Sequence, residues 1–474
     1  MRIDERTGSW LIVAALTAAL TALTTTQALQ RYDDLRTGWS WDLAYYNQWY
    51  WALTQGDGLI SVRPISSYAT EGPQVWKSNY LSPARYMIAP IYMAFPSPRT
   101  LLVICNVVFW WVIPAAYTLS RSESGSSRVA LGAATLVPLT PLAWPIVWND
   151  FRELTMATPF VLWAFQGVRA RRVGLTAAGV AGMLACRQEF AIVVAWLAFL
   201  PPREDEDVGR KALWRLVLFD VGLGWLVLAF FGYLYFFVGR YAPQAYFNQF
   251  MGPKPTLAQT WETLSEFLRD GFGAWSILML AVPGAALLAG FWVWNLAAGQ
   301  WAMRFLTGTS WHHVRYATPA VATTIAAGVV GFSRMAAWLR GVRGGAAAMV
   351  VLWLASAVFS AAGTWSTVSR MSAIPPPVAA ADVKPYWAWV SQVAPDDAVL
   401  ASYEFTAPLS SRKSLYSHVM NVNEPKGYPN LRPEFRWVFW KTPEYGGVDR
   451  FVNQGFVVVH RGPSLTILRR SGTQ

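Results

Sequence analysis

The sequence of 474 residues is poor in charge: 14% of its residues are Asp, Glu, Lys or Arg, whereas 54% are hydrophobic. A soluble chain usually carries about 25% charged residues. The long apolar runs therefore predict an all-α polytopic membrane protein, because a helix satisfies its own backbone hydrogen bonds within lipid. The 27 tryptophans are typical of aromatic belts at the two membrane interfaces.

Cysteine is also scarce, with only two copies. Cys105 and Cys186 lie in or beside apolar segments, which excludes a disulfide framework and a cysteine-based metal motif. The chain lacks a Walker A sequence, a dinucleotide-binding glycine pattern and a Gly-x-Ser-x-Gly motif, so nothing in it supports a cytosolic nucleotide-driven enzyme. The net charge of +12 comes from basic loops between apolar segments, a pattern that indicates membrane topology and contact with anionic lipid and not nucleic acid binding.

The apolar segments and the arginine-rich loops between them predict the topology. Full crossings need about 20 residues, and arginine-rich loops face the cytoplasm, so we expect about eleven crossings with the N-terminus inside and the C-terminus outside. The first apolar segment resembles a signal peptide, but it is long and no small-x-small cleavage site follows it, so a retained anchor is favoured. The segments are 9–30, 98–119, 129–147, 154–168, 173–186, 189–200, 213–238, 272–287, 289–305, 317–333 and 346–368.

Two parts are expected outside the bilayer. Residues 31–97 form a first extracytoplasmic loop with amphipathic helices, attached to a transmembrane domain over 1–369. Residues 370–474 begin at a proline-rich linker and continue as a small extracytoplasmic α/β domain, with a helix at 384–394. Its predicted strands are Ala398–Ser402, Ser414–Ser417, Phe456–His460 and Leu465–Leu468.

Under this topology the polar residues of four stretches converge on the outer face of the bundle. Ionisable groups at membrane depth are costly unless they are paired or hydrated, so such a cluster indicates a functional site. The candidates are Trp41, Asp42, Tyr45 and Gln48 in the first loop; Asp150, Arg152 and Glu153 in a tight turn; Arg187 and Glu189 in the next outer turn; and His312, His313, Arg315 and Tyr316 before the tenth segment.

Each stretch also has a purely structural interpretation. Asp42 suits a helix N-cap, and the charges of residues 150–153 can satisfy one another. Arg187 and Glu189 can form a structural ion pair, and the adjacent histidines 312–313 can be interfacial residues. Two adjacent histidines do not have the spacing with which a helix chelates one ion, so a metal site would need carboxylates such as Asp42 or Glu189.

The run Trp-Asp-Leu-x-x-Tyr-Asn-Gln-x-x-Trp-x-Leu-x-x-Gly over residues 41–56 resembles the opening motif of a family of bacterial membrane proteins, the domain of unknown function 2079. Further matches follow in chain order and extend the resemblance over nearly the whole chain. This chain departs from the family where Tyr80 and Arg152 replace histidines. The later matches are Leu81-Ser-Pro83, Pro90-Ile-Tyr92, Phe95-Pro-Ser-Pro98, Asn149-Asp-Phe-Arg152, Gln188-Glu189 and Arg315-Tyr-Ala-x-Pro319.

That family is similar in layout to the C-type glycosyltransferases, polytopic enzymes that take sugars from polyprenyl-phosphate carriers. The resemblance implies that Asp42 is the catalytic carboxylate and that Asp150, Glu189 and Tyr316 line the same cavity. Arginines suit a phosphate because a guanidinium binds it in a fork geometry. Arg152, Arg187 or Arg315 is expected to hold the departing phosphate, and Mg²⁺ or Mn²⁺ bound by Asp42, Asp150 or Glu189 would share that task.

The leading hypothesis is therefore an inverting membrane glycosyltransferase that uses a polyprenyl-phosphate-linked sugar and an extracytoplasmic acceptor, with Asp42 as general base. The donor would enter from lipid against the aromatic helix of the first loop. A transporter or flippase of lipid-linked sugars is the second hypothesis, although the sequence shows no internal symmetry. A non-catalytic envelope assembly protein is the third.

Overall fold

The computed structural model describes residues 4–37, 40–56, 63–64, 80–141, 143–148, 150–200, 208–238, 256–258, 261–262, 265, 318–374, 376–418, 431, 433–443, 445 and 447–472. The predicted segments at 272–287 and 289–305 lie outside the described residues. So do His312, His313, Arg315 and Tyr316.

Helices dominate the described chain. The first is α1 (Glu5–Asp33), which begins where the Asp4 carboxylate accepts a hydrogen bond of 2.8 Å from the Thr7 amide. It is followed by α2 (Ser40–Thr54), α3 (Ala84–Ala94), α4 (Pro98–Trp110), α5 (Val112–Ser124), α6 (Ser127–Leu136), α7 (Ala143–Trp148), α8 (Glu153–Met156), α9 (Thr158–Ala170), α10 (Val173–Cys186), α11 (Phe190–Leu197), α12 (Val208–Val227, continued as a π-helix over Leu228–Val238), α13 (Thr318–Leu339) and α14 (Gly345–Ser372).

Five helices in the described chain are long and apolar enough to cross a membrane: Glu5–Asp33, Pro98–Ser124, Leu213–Tyr233, Val321–Leu339 and Gly345–Ser369. They match five of the predicted segments. The count of about eleven crossings is not confirmed, because several shorter predicted segments form helices below the roughly 20 residues that a crossing needs. The segment 129–147 is divided between α6 and α7, and the segment 189–200 contains only the eight-residue α11.

Two ion pairs mark the opposite ends of the first two apolar helices. Arg99 at the start of α4 pairs with Asp33 at the end of α1, with 2.5 Å between Nη2 and Oδ1. At the other end Arg128 of α6 pairs with Glu5 of α1, with 3.3 Å between Nη2 and Oε2. The α1 helix and the α4–α5 pair are therefore antiparallel, and α2 begins at the Asp33 end.

The helices α9 and α10 approach closely because small residues face each other. A Cβ atom on Gly179 would lie 2.4 Å from the backbone nitrogen of Ala164, and one on Gly167 would lie 2.4 Å from that of Thr176. These contacts resemble the small-residue interfaces that bring membrane helices together.

The C-terminal part contains a sheet with one helix, α15 (Ala380–Val390), before it. Its strands are β1 (Arg63–Pro64), β2 (Ala398–Ser402), β3 (Leu415–His418), β4 (Phe435–Lys441), β5 (Phe456–Arg461) and β6 (Leu465–Arg470), with the short helix α16 (Asp449–Val452) before β5. The strand order is β1-β3-β2-β4-β6-β5; β1 to β4 run parallel, β6 runs antiparallel to β4, and β5 runs antiparallel to β6.

The four strands expected from the sequence are confirmed to within a few residues, and the predicted helix begins earlier, at Ala380. The sequence analysis missed β4 and β1. The strand β1 comes from the first loop and joins the sheet next to β3.

The two faces of the sheet pack differently. Because side chains alternate along a strand, Val399 and Ala401 join the large core that also contains the helical bundle, whereas Ala398 and Leu400 join a separate small core with Phe451 of α16. The sheet therefore rests directly on the bundle.

Candidate functional site

The helix α2 carries Asp42 and is enclosed by protein. Its sequence is apolar and aromatic around its circumference, which is typical of a buried helix, and ten of its fifteen residues are buried. Asp42 lies in the first turn, where a negative charge is favoured by the helix dipole. Arg152 donates a hydrogen bond from Nη2 to Oδ2 of Asp42. The Asp42 side chain keeps 18% of its surface exposed, whereas Arg152 keeps 4%.

The side chains of residues 150–153, at the turn that leads into α8, contact different parts of the protein. Asp150 interacts electrostatically with Arg31 of α1. The Phe151 ring packs edge-on against Tyr46, 5.4 Å between centroids, and Arg152 binds Asp42. Arg152 thus has a partner outside the turn, because neighbouring side chains in its extended backbone point in different directions.

Glu153 forms the most enclosed ion pair of the site with Arg85 of α3. Nε of Arg85 lies 2.5 Å from Oε1 of Glu153, and Nη2 lies 3.2 Å from Oε2. Both side chains are almost wholly buried, at 2% and 0% exposure. The guanidinium also lies over the ring of Trp49, 4.6 Å from its centroid. Glu153 thus fixes α3 against the bundle.

Arg187 lies between α10 and α11 and forms the ion pair of the site that involves the turn at 187–189. It binds Glu189 through two hydrogen bonds, 3.0 Å from Nε and 2.8 Å from Nη2, and Nη1 donates to the Tyr46 hydroxyl at 3.0 Å. Its guanidinium lies 3.5 Å from the centroid of the Tyr80 ring. The structural ion pair that the sequence offered as an alternative for Arg187 and Glu189 is confirmed.

Burial and the neighbouring carboxylate shift the pKa of Arg187 in opposite directions. Burial alone would lower the pKa of Arg187, but the charge of Glu189 raises that pKa well above the ordinary value. Burial raises the pKa of the Tyr46 hydroxyl above its usual range. Arg187 is therefore a permanent cation, and Tyr46 is a permanent neutral donor and acceptor beside it.

Together these contacts form a set of four ion pairs around α2, the turn at 150–153 and the turn at 187–189, which we call the polar network. It contains as many arginines as carboxylates, so the charges balance within it. Its two carboxylates at Asp42 and Glu189 are the more exposed partners, with side chains 18% and 30% exposed, and their arginines lie behind them. The members are Arg31 with Asp150, Arg152 with Asp42, Arg85 with Glu153, and Arg187 with Glu189.

The aromatic candidates of α2 line the same region. The Tyr45 ring lies 5.9 Å from Trp41, 5.5 Å from Tyr46 and 6.5 Å from Tyr80, measured between centroids. Tyr45 is buried and Trp41 is half-buried. These aromatic rings thus lie between Asp42 and the ion pair of Arg187 with Glu189.

Gln48 and its neighbour Asn47 face the C-terminal part of the chain. Gln48 donates a 2.8 Å hydrogen bond from Nε2 to the Arg412 carbonyl. Asn47 donates to the Ser410 hydroxyl at 2.9 Å and accepts at 2.7 Å from the Tyr92 hydroxyl of α3. These contacts hold α2 between α3 and the segment that follows β2.

Two members of the network were not predicted from the sequence. Arg85 is a charged residue in the mainly apolar stretch 80–90 of the first loop, and Arg31 directly follows the first apolar segment; a charge in either context was the available signal. Arg31 donates a 3.0 Å hydrogen bond to the Trp148 carbonyl and lies 4.1 Å from the centroid of the Trp148 ring.

A metal site is not assembled from the predicted ligands. The part of the chain that the structure describes contains no group of three or more His, Cys, Asp or Glu side chains suited to a metal ion. Asp42, Asp150 and Glu189 all lie within that part, so they do not form such a group. Asp42 and Glu189 are instead bound by arginines.

The fold is similar to that of ArnT from Cupriavidus metallidurans. Its crystal structure bound to undecaprenyl phosphate superposes with a TM-score of 0.60 at 14% identity, over 98% of this chain and 99% of that chain. The apo state gives a TM-score of 0.57 at 13% identity, over 98% of each chain. No curated protein matches the sequence.

The family resemblance of the motifs is confirmed over most of the chain. The model of a family described as predicted membrane protein, DUF2079, matches residues 31–454. The matched range contains α2, the turns at 150–153 and 187–189, and most of the sheet. The chain therefore belongs to the DUF2079 family of predicted membrane proteins.

Proposed function

We propose that this protein is a membrane glycosyltransferase that moves a sugar from a polyprenyl-phosphate carrier to an acceptor outside the cytoplasm. The observation that supports it most is the likeness, over nearly both whole chains, to a protein whose structure holds undecaprenyl phosphate. The polar network beside α2 supplies the kinds of group that such a transfer requires.

Asp42 is the proposed general base. During transfer a bond forms between the acceptor oxygen and the anomeric carbon, the bond from that carbon to the phosphate oxygen breaks, and the acceptor proton passes to Asp42. The exposed part of Asp42 gives a substrate access to the carboxylate. Arg152 holds that carboxylate in place through its hydrogen bond to Oδ2.

Arg152 is the proposed partner of the departing phosphate. A guanidinium has five N–H donors in a fork, more than one carboxylate oxygen can use, so a phosphate can share it with Asp42. One ion pair thereby places the phosphate of the donor beside the proposed base.

The proposed orientation places this site on the outer side of the bacterial inner membrane. Arginines collect at the opposite end of the bundle, where Arg169 binds Glu123 and Arg340 donates a 2.5 Å hydrogen bond to the Ser124 carbonyl. Basic residues prefer the cytoplasmic side. The N-terminus would then be cytoplasmic, and residues 370–474 would form an extracytoplasmic α/β domain beyond the transmembrane domain of residues 1–369.

The test is a transfer assay with purified protein in liposomes. Undecaprenyl-phosphate esters of radiolabelled glucose, mannose, galactose and N-acetylglucosamine serve as donors, and membranes of the source cell provide the acceptor. We expect Asp42→Asn to lower transfer by roughly 100- to 10,000-fold, the usual contribution of a general base. The control is Asp33→Asn, an exposed carboxylate at the same end of the bundle. Equal transfer by Asp42→Asn and the wild type would rule out this role.

One observation favours a non-catalytic envelope protein instead. Every arginine of the network has a carboxylate partner, a pattern that also holds helices together without any chemistry. In that case none of the four donors would release undecaprenyl phosphate, with either the wild type or the Asp33→Asn control.

A further inference from the structure

The carboxyl ends of three parallel strands meet at one edge of the sheet. The strand β2 lies between β3 and β4, so the chain leaves β2 to one side for β3 and then crosses to the other side for β4. Open α/β sheets bind their ligands beyond the carboxyl ends of their strands at such a reversal.

Polar side chains lie at these strand ends. Ser402 and His418 end β2 and β3 as register partners, and the amide of Lys441 at the end of β4 donates a 2.9 Å hydrogen bond to the Ser402 hydroxyl. Glu404 accepts hydrogen bonds from Nζ of Lys441 at 2.9 Å and from the Tyr445 hydroxyl at 3.0 Å. We call these five residues the switch-point cluster.

The buried carboxylate of Glu404 indicates that a ligand binds to this cluster. The residue is 8% exposed, and both of its bonds go to Oε1. Within the described chain, its buried Oε2 atom has no hydrogen-bond partner. A buried acceptor left without a donor destabilises a protein, so the site is built to receive a donor.

The charges and rings around Glu404 define the class of that donor. Lys441 neutralises Glu404, so the pair presents an acceptor without net charge and favours a neutral ligand with hydroxyl groups. The rings of His418, Trp440 and Tyr445 adjoin it, with centroids 4.6 Å apart for His418 and Tyr445 and 5.9 Å apart for Trp440 and Tyr445. Hydroxyl recognition beside aromatic faces suits a saccharide.

The same segment links the cluster to the helix of Asp42. Glu404 lies in a 3-10 turn, Tyr403–Phe405, and the next turn, Ala407–Leu409, packs on α2. The Ala407 amide donates a 3.1 Å hydrogen bond to the hydroxyl of Ser40, two residues before Asp42. A ligand at the switch-point cluster is therefore joined to the start of α2 through a few residues.

We propose that the switch-point cluster is a saccharide-binding site and that it holds the hydroxylated acceptor of the transfer; the second half rests on the proposed function. Glu404 accepts a ligand hydroxyl at Oε2, Lys441 and Tyr445 fix the carboxylate, and the aromatic rings pack against the sugar.

The test measures saccharide binding by the full-length protein in lipid nanodiscs. Fluorescently labelled protein is applied to an array of neutral and acidic oligosaccharides, and the strongest neutral glycan is then titrated in solution. We expect Glu404→Gln, which turns the acceptor at Oε2 into a donor, to bind at least tenfold more weakly than the wild type. The matched control, Glu434→Gln, alters an exposed carboxylate in the turn before β4 and should bind as the wild type does.

Tyr445→Phe keeps the carboxylate and removes only the hydroxyl that orients it, so it decides the matter if Glu404→Gln does not fold. We expect about a threefold or greater loss of affinity. The inference is overturned if the wild type retains no neutral glycan, or if a folded Glu404→Gln or Tyr445→Phe protein binds as well as the wild type.

The binding test is repeated with Asp42→Asn, which separates the site from the transfer. Binding that depends on Glu404 but not on Asp42 supports the site. If such binding occurs but no polyprenyl-phosphate sugar is turned over, the proposed transfer is wrong and the saccharide site is supported. If Glu404→Gln transfers sugar with an unchanged KM for the acceptor, the site does not hold the acceptor, although the proposed transfer is supported.

Discussion

The buried pair of Arg85 and Glu153 gives the sharpest prediction for stability. Its side chains are 2% and 0% exposed. Glu153→Leu leaves the guanidinium buried without a counter-charge, which costs about 3–5 kcal/mol. Arg85→Met leaves the carboxylate in the same position and also removes the contact with the Trp49 ring, worth about 0.5–2 kcal/mol.

The double variant Arg85→Met/Glu153→Leu should recover most of that loss. Replacement of a buried ion pair by apolar groups of similar volume is often neutral or stabilising by about 1–4 kcal/mol. The two single changes are therefore strongly coupled and do not add.

The assay is urea unfolding in detergent micelles, followed by tryptophan fluorescence, for the two single variants and the double variant. The exposed pair of Arg99 and Asp33, with side chains 51% and 43% exposed, is the control. Its disruption by Asp33→Asn should change the free energy of unfolding by only about 0–1 kcal/mol. Additive losses in the double variant, or single losses no larger than the control, would show that Arg85 and Glu153 do not stabilise each other in the buried site.

Three further predictions test packing and protonation. Tyr46→Phe removes a 3.0 Å bond to a buried guanidinium and should cost about 1.5–3 kcal/mol of unfolding free energy in the same assay. Tyr50→Phe should change the free energy of unfolding little, because the Tyr50 hydroxyl has no hydrogen-bond partner among the described residues. Equal losses in Tyr46→Phe and Tyr50→Phe would contradict this prediction. Gly179→Ala should destabilise the protein, since its Cβ would meet backbone at 2.4 Å, whereas Gly174→Ala meets nothing within 4 Å and should stabilise it by up to about 1 kcal/mol through helix propensity. Burial raises the pKa of Tyr92 to about 12, so the unfolded chain ionises first and stability should fall as the pH rises from about 10 to 12. When the free energy of unfolding is measured between pH 10 and 12, Tyr92→Phe should reduce this loss of stability.

The sequence could predict those parts of the fold that follow from local patterns. Long apolar runs predicted the five long helices, and runs of alternating or β-branched residues predicted four strands. The strand β4 was missed because its run Phe435–Lys441 mixes aromatic and basic residues, and β1 because two residues carry no periodicity. Their positions depend on pairing with strands far along the chain.

The candidate site was predictable as a set of residues but not as a set of partners. The loop charges brought Asp42, Arg152 and Arg187 to one face, and the structure places them in one network. Which arginine meets which carboxylate depends on the packing of α3 against α2, and no spacing in the sequence encodes it. Arg85 was therefore missed although it binds Glu153.

The most direct test of the central claim is a structure of the protein in lipid nanodiscs with undecaprenyl phosphate bound. We expect the phosphate within hydrogen-bond distance of the Arg152 guanidinium, beside the Asp42 carboxylate at the start of α2. A phosphate bound elsewhere, with the pair of Arg152 and Asp42 unchanged and out of its reach, would contradict it.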